Sequence, residues 1–133
     1  MSGSDLLFDT WAWWEYLHET PTGASLRRRY VDGGRFRIHT SAISLGEIAA
    51  RLDTDGHADR TDLACGGIRR LSHLWDVTAD LCQEAGRVRS RLRRSSPSAS
   101  LADAIVFVTA RRAGARIVSA DPAFAEVPGT ISR

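Results

Sequence analysis

The sequence contains no lysine, and arginine supplies all 18 of its basic residues. Two explanations remain open. A GC-rich genome favours arginine codons without functional meaning, or the protein uses bidentate phosphate contacts, which arginine makes better than lysine. The 16 acidic residues leave a net charge of only +2, so the overall charge does not indicate a nucleic-acid partner. The codon explanation is sufficient for the total, whereas local arginine clusters need separate consideration.

Cysteine is scarce, and long apolar runs are absent. Cys65 and Cys82 form neither a CxxC pair nor a Cys/His cluster, which excludes the usual zinc and redox motifs. The N-terminal segment has no basic residue before its short apolar run, unlike a secretion signal. The longest apolar stretch, 104–110, is too short to cross a bilayer. We therefore expect a reduced, cytoplasmic protein without membrane insertion.

Several catalytic motifs are also missing. The sequence has no GxSxG, no HExxH and no Walker loop, so it lacks the signatures of the serine hydrolases, zinc peptidases and nucleotide-binding proteins that carry them. With 133 residues, of which 43% are hydrophobic, the chain is long enough for one core but not for two. We expect a single domain over residues 1–133.

Four acidic residues stand where each of four apolar runs begins or ends: Asp9, Glu47, Asp103 and Asp121. If they converge, each pair at about 4 Å costs roughly 1 kcal/mol in water and about 4 kcal/mol at an effective dielectric of 20. A fold tolerates this only by protonating some of the acids or by holding cations. Carboxylates without accompanying His or Cys select magnesium or manganese rather than zinc. The four acids therefore predict a divalent-metal site.

The order of the apolar segments predicts strands alternating with helices. Strands are expected at 6–9, 35–40, 74–77 and 116–119, with a candidate fifth at 129–132. Helices are expected at 11–18 with Thr10 as a candidate cap, at 24–31, from Ser41 or Ser44 onward, at 57–71, after Thr78, and at 101–112. This alternation favours a parallel sheet of four to five strands with helices on both faces. Ligands bind beyond the carboxyl ends of such strands, where the four acids can meet.

These segments together resemble a known family. The order DT, then SxxEI, then LxDA, then VSxD, in a chain of this length, is similar to that of PIN domains, and within them to the toxin subunit of VapBC toxin–antitoxin pairs. The resemblance covers the chain from Leu6 to about Phe124. It implies a three-layer α/β/α sandwich and a magnesium- or manganese-dependent ribonuclease specific for single strands. It also implies a homodimer that a small antitoxin neutralises.

The resemblance also implies roles for residues. Its catalytic metal ligands would be the four acids, Asp9, Glu47, Asp103 and Asp121. Thr10 or Ser119 would orient a ligand or a water, with Ser119 in place of the more usual threonine. The serine at 119 is one departure from the family pattern, and Pro122 is the other. Pro122 holds Asp121 out of the α-helical region of backbone conformation.

Each acid also has a structural explanation. Asp9 could cap the first helix, Glu47 could be the exposed flank of a core helix, and Asp121 before proline is a common turn composition. Asp103 could be a cap or half of a buried salt bridge. At the level of function, the alternatives are a PIN-like RNA-processing nuclease without an antitoxin and a non-catalytic binding module of the same fold. A small-molecule phosphatase is disfavoured because no phosphate-cradling glycine loop is present.

Outside the acids, two groups of residues suggest surfaces. Arg87, Arg91 and Arg94 lie on one stripe of the helix after Thr78, which is either a solvated face or a ridge that contacts the RNA backbone. The tryptophans of WAWW cannot all face one core, so at least one is expected to be exposed at a dimer or antitoxin surface. The four histidines show no ligand spacing and are expected at the surface or at strand ends.

Overall fold

A computed structural model describes residues 3–125, 127 and 129–131. Four parallel strands form its sheet in the order β3-β2-β1-β4: β1 (Asp5–Phe8), β2 (Arg37–Ser41), β3 (His73–Trp75) and β4 (Arg116–Val118). The helices are α1 (Thr10–Leu17), α2 (Pro21–Leu26), α3 (Ala42–Thr54), α4 (Thr61–Leu71), α5 (Ala79–Ser95) and α6 (Leu101–Ala113). Short helical turns occupy Ala58–Arg60 and Pro122–Phe124, and α2 continues into a π-helical segment, Arg27–Val31.

Alternation along β1 produces the three layers. Leu6 and Phe8 point into a core with α1, α3 and α4, where Trp13 packs 4.9 Å from the Phe8 ring between centroids. Leu7 points to the other face and packs against α6. Because successive strand side chains face opposite sides, both faces of the sheet are covered, as expected for an α/β/α sandwich.

Caps fix where the helices begin. Asp9, Ser41, Thr78 and Ser100 each accept a backbone N–H at the start of α1, α3, α5 and α6. Gly114, with φ of 63°, ends α6 in the left-handed region that favours glycine. Thr10 was expected as the cap of α1, and that prediction is wrong, because Asp9 occupies the position and frees the Thr10 hydroxyl for another contact.

Several boundaries differ from the sequence-based expectation: β2 starts at Arg37 rather than 35, β3 spans His73–Trp75 rather than 74–77, and α4 starts at Thr61 rather than 57. Two further differences concern α2 and the candidate fifth strand. The helix predicted at 24–31 already starts at Pro21, with Thr20 as its cap, because proline suits the first helical position. For the candidate fifth strand, Ile131 forms a single parallel bridge to Val118, and Ser132 lies outside the described residues. Within the described part of the chain, the sheet has four strands.

The aromatic and histidine expectations need correction. None of the three tryptophans of WAWW is exposed: Trp13 and Trp14 are buried, and Trp11 is half-buried against the same core. His39 is buried inside β2 rather than at the surface. Its Nε2 lies 2.8 Å from an Asp5 oxygen and its Nδ1 lies 3.0 Å from the Trp75 indole nitrogen. Since an indole N–H can only donate, Nδ1 accepts and Nε2–H donates to Asp5.

Membrane insertion was not expected, and among the described residues no helix has the length and apolar character that a bilayer span requires.

Candidate active site

Asp9 is the most deeply placed of the four acids. It follows the last residue of β1, and its Oδ1 accepts the backbone N–H of Ala12 at 2.9 Å. Its Oδ2 accepts a hydrogen bond from the Ser119 hydroxyl. The residue is only 5% exposed. Asp9 does cap α1, as its structural explanation proposed, but one carboxylate oxygen remains directed toward β4.

Ser119 links two strand ends. It follows β4 and is buried, and its hydroxyl donates to Asp9 while accepting the backbone N–H of Asp121 at 2.9 Å. The neighbouring strands β1 and β4 pair in parallel with Phe8 opposite Val118, so their following residues meet at the same edge. Ser119 thus links two of the candidate acids, Asp9 and Asp121, through its hydroxyl.

The electrostatics of Asp9 are unusual for a carboxyl group. The pKa of Asp9 is raised from 3.8 to about 7, chiefly by burial of the carboxyl; the hydrogen bonds from Ser119 and Ala12 oppose this rise, and the charges of Asp121 and Glu47 add to it. Within the described part of the chain, no arginine or histidine forms an ion pair with any of the four acids. The acids therefore act on one another without a compensating cation from the protein.

Glu47 reaches the same edge from α3. The Thr10 hydroxyl donates to Glu47 Oε1 at 2.5 Å, which connects the first turn of α1 to the second turn of α3. Glu47 is exposed, as its structural explanation expected, yet its carboxylate is held at the site rather than free in solvent. Thr10, like Ser119, contacts an acid that the sequence singled out.

Asp103 belongs to a capping box at the start of α6. Its backbone N–H donates to the Ser100 hydroxyl at 3.1 Å, and its Oδ2 accepts the Ser100 backbone N–H at 2.8 Å. Burial raises the pKa of the Asp103 carboxyl, and the charge of Asp121 adds to this shift. The capping explanation therefore holds, while Asp103 also lies within electrostatic reach of the acid cluster.

Asp121 caps the turn Pro122–Phe124. Its Oδ1 accepts the Ala123 backbone N–H at 2.9 Å, and its φ of −68° and ψ of 129° place it in the extended region, as expected before proline. Its charge acts on both Asp9 and Asp103, so it connects the two halves of the cluster.

The structure thus brings all four acids to the carboxyl ends of the strands, where electrostatic interactions relate Asp9 to Glu47 and Asp121, and Asp121 to Asp103. Among residues 3–125, 127 and 129–131, however, no three acidic, histidine or cysteine side chains are arranged to hold a metal ion as they stand. A hard divalent cation nevertheless fits the donors present, because all four are carboxylates and the protein supplies no positive charge to offset them.

The arginine ridge lies on α5. Its core face consists of Leu81, Ala85, Val88 and Leu92, all buried as the periodicity predicted. Arg87, Arg91 and Arg94 are exposed on another face, and none of them forms an ion pair with a described residue. The structure gives no contact between this ridge and the acids.

Two serines near the acids were not identified as site residues from the sequence. Ser100 holds one oxygen of Asp103, and the capping-box spacing of serine three residues before an acid would have identified it. Ser44, one turn before Glu47, is completely buried, and its hydroxyl has no partner among the described residues.

Comparison with solved structures supports the fold. A toxin–antitoxin complex from Klebsiella pneumoniae is 19% identical with a TM-score of 0.69, covering 95% of both chains. VapC20 of Mycobacterium tuberculosis, a toxin that cleaves the sarcin–ricin loop, is 23% identical with a TM-score of 0.67, over 91% of this chain and 95% of that one. VapBC2 from Rickettsia felis, bound to a promoter DNA fragment, is 14% identical with a TM-score of 0.72 and 97% coverage of both. These likenesses show a shared fold.

Among curated proteins, none matches the chain. The family model of the PIN domain matches residues 6–130, which includes every candidate acid and nearly the whole chain. Together with the parallel sheet and the acids at its carboxyl edge, this match identifies the family: the chain belongs to the PIN domain family.

Proposed function

We infer that the protein is a metal-dependent endoribonuclease and the toxin of a type II toxin–antitoxin pair. The observation that carries this proposal is the buried Asp9 carboxyl, which faces Glu47 and Asp121 without a compensating arginine. A protein of this family gains nothing structural from that repulsion. A divalent cation would relieve it and give the acids a catalytic use.

The residues have distinct tasks in this proposal. Asp9, Glu47, Asp103 and Asp121 would hold Mg²⁺ or Mn²⁺, and the ion would activate water and offset the charge that develops on a phosphodiester. Ser119 would keep Asp9 and Asp121 together, since it bonds to both. Thr10 would restrict the Glu47 side chain through its 2.5 Å hydrogen bond. Ser100 would hold one oxygen of Asp103 in place through its backbone N–H.

RNA is the proposed substrate and a small antitoxin the proposed partner. Support for both comes from the shared fold, since solved relatives include toxin–antitoxin complexes and a toxin that cleaves the sarcin–ricin loop. The exposed ridge of Arg87, Arg91 and Arg94 would contact phosphates of the RNA. A homodimer and a cytoplasmic location, where RNA substrates are found, complete the proposal.

Cleavage of a labelled mixed RNA tests the function directly. Purified wild-type protein should cut in the presence of Mg²⁺ or Mn²⁺ and not in EDTA. Asp103→Asn should abolish cutting with the far-UV circular dichroism unchanged, because the asparagine keeps the shape but loses the charge. Asp53→Asn, an exposed aspartate on α3 outside the site, is the matched control and should retain full activity. Cutting in EDTA, or equal activity in Asp103→Asn, would contradict the metal mechanism.

A further inference from the structure

A second group of basic and aromatic side chains lies outside the acid cluster. Two adjoining hollows, about 500 and 550 Å³, open beside β2 and β3, and both are lined by Asp5 and Arg37. The first is also lined by Arg35 and Phe36, and the second by His73 and Trp75. We call this continuous feature the β2–β3 groove, defined by Arg35, Phe36, Arg37, His73 and Trp75.

The groove runs across the sheet toward the acids. Arg37 is the first residue of β2 and pairs with Asp5 at the start of β1, whereas Trp75 pairs with Ser41 at the end of β2. Arg37 and Ser41 are four residues apart on β2, which corresponds to about 13 Å at roughly 3.3 Å per residue. Asp9 follows the end of β1, so Trp75 lies at the same height along the strands as the edge that carries the acids, and two strands, about 10 Å, to the side of β1.

Guanidinium groups and aromatic rings alternate at the lower end. The Arg35 guanidinium lies 5.8 Å from the Phe36 ring centroid, and the Phe36 ring contacts Tyr30 at 5.4 Å. The Arg29 guanidinium lies 5.6 Å from the Tyr30 ring. Arg35 and Arg37 are exposed, and neither forms an ion pair with a described residue.

Among the described residues, one acidic side chain lines the groove, that of Asp5. It accepts the Nε2–H of the neutral His39 at 2.8 Å, and His39 also fixes the Trp75 indole through Nδ1. Arg112, which lines the second hollow, is paired with Asp80 and Glu84. The groove therefore holds two arginines without an ion pair, Arg35 and Arg37, against one carboxylate, while half-buried Trp75 and exposed His73 supply rings farther along.

We propose that the β2–β3 groove binds single-stranded RNA as an extended subsite, separate from the acids that would cut it. Arginines suit phosphates, and partly open rings suit stacked bases, which is the combination found in proteins that bind single strands without sequence preference. An acidic peptide would use the arginines but not the rings, so RNA fits the groove better. The inference rests on the proposed ribonuclease function, because it extends the substrate beyond the cleavage point.

The test separates binding from cleavage. Affinity for a labelled 20-nucleotide single-stranded RNA of mixed sequence is measured in EDTA, where no cleavage is expected, as a function of salt. Arg35→Gln/Arg37→Gln should weaken binding about tenfold at 0.15 M salt and reduce the salt slope by about 1.4, because each phosphate contact to a single strand contributes about 0.7. The charge-matched control is Arg28→Gln/Arg60→Gln, two exposed arginines that line neither hollow and form no ion pair with a described residue, and it should bind like wild type.

The outcomes distinguish the two proposals. With Mg²⁺, the groove variant should cut the 20-nucleotide RNA more slowly than wild type but cut a 4-nucleotide RNA equally well, provided that its thermal melting is unchanged. Equal affinity of the two double variants would overturn the groove, even if the protein cuts RNA. If wild type does not cut RNA but still binds it more tightly than the groove variant does, the proposed nuclease function is overturned and the proposed RNA-binding groove is supported. Tighter binding of a poly-glutamate peptide than of RNA would overturn RNA as the occupant.

Discussion

At the scale of single residues, Asp9 is both the cap of a helix and a buried candidate metal ligand. Its Oδ1 caps α1 through Ala12, and its Oδ2 is held by Ser119. A cap alone needs no burial, and caps are usually found where water can assist. Burial of this carboxyl raises its pKa to about 7. The protonation state of Asp9 near neutral pH therefore depends on whether a cation is bound beside it.

Removal of the Asp9 charge should change how stability depends on pH. In EDTA the folded protein keeps a proton on Asp9 that the unfolded chain releases above about pH 4, because folding raises the pKa from 3.8 to about 7. The protonated Asp9 therefore contributes fully to stability below pH 4. As the pH rises from about 4 through 7, the free energy of unfolding falls by at most about 4 kcal/mol, and above that it no longer depends on Asp9. Chemical denaturation at pH 5, 6, 7 and 8 should show this decline in wild type and a smaller one in Asp9→Asn. Asp53→Asn should decline like wild type, and parallel curves for all three proteins would contradict the assignment.

At the scale of elements, the start of α6 carries both a fold signal and a candidate site residue. Ser100 and Asp103 form a reciprocal capping box that holds Asp103 Oδ2, and the Asp103 carboxyl also interacts with Asp121. The sequence predicted this helix at 101–112, and the structure places it at Leu101–Ala113. The cap uses one of the two carboxyl oxygens, so the capping explanation does not exclude the proposed catalytic one.

Ser100→Ala should reveal the second role of this cap. Loss of the hydroxyl should lower the free energy of unfolding by about 1 kcal/mol, as at other caps, and should reduce RNA cleavage about 10- to 100-fold, the range for partners that orient a metal ligand. Thr78→Ala is the control, because Thr78 caps α5 through Leu81 and contacts none of the four acids. It should lower stability to a similar degree while cleavage by the folded protein is unchanged. Equal cleavage by the two variants would show that Ser100 acts only as a cap.

The α1–α2 hairpin shows why element boundaries escaped the sequence. The sequence predicts no element between the helices expected at 11–18 and 24–31, yet Thr20 and Pro21 start α2. Gly23 allows this arrangement, because a Cβ there would lie 1.9 Å from the Glu15 carbonyl oxygen. The glycine therefore marks close helix contact rather than a turn, and no local pattern distinguishes these two uses.

At the scale of the whole molecule, the sequence predicted the arrangement of the acids better than it predicted the interior. Parallel strands joined by helices place all carboxyl ends at one edge, so the gathering of Asp9, Glu47, Asp103 and Asp121 followed from order alone. The burial of His39 did not, because it depends on Asp5 and Trp75, which are 34 and 36 residues away in the chain. Such side-chain partnerships arise from packing between strands and leave no short-range signal.

Because the acids span 112 residues and meet only in the folded chain, metal binding should stabilise the whole domain. A ligand that binds only the native state adds about 2.7 kcal/mol at a concentration of 100 times its dissociation constant. Mg²⁺ or Mn²⁺ should therefore raise the melting temperature of wild type, and more at pH 8 than at pH 6, since the metal must displace the proton that Asp9 retains below about pH 7. Asp9→Asn and Asp103→Asn should lose most of this rise, whereas Asp53→Asn should keep it. An equal rise in melting temperature in all four proteins would mean that the ion binds elsewhere and that the four acids do not form the metal site.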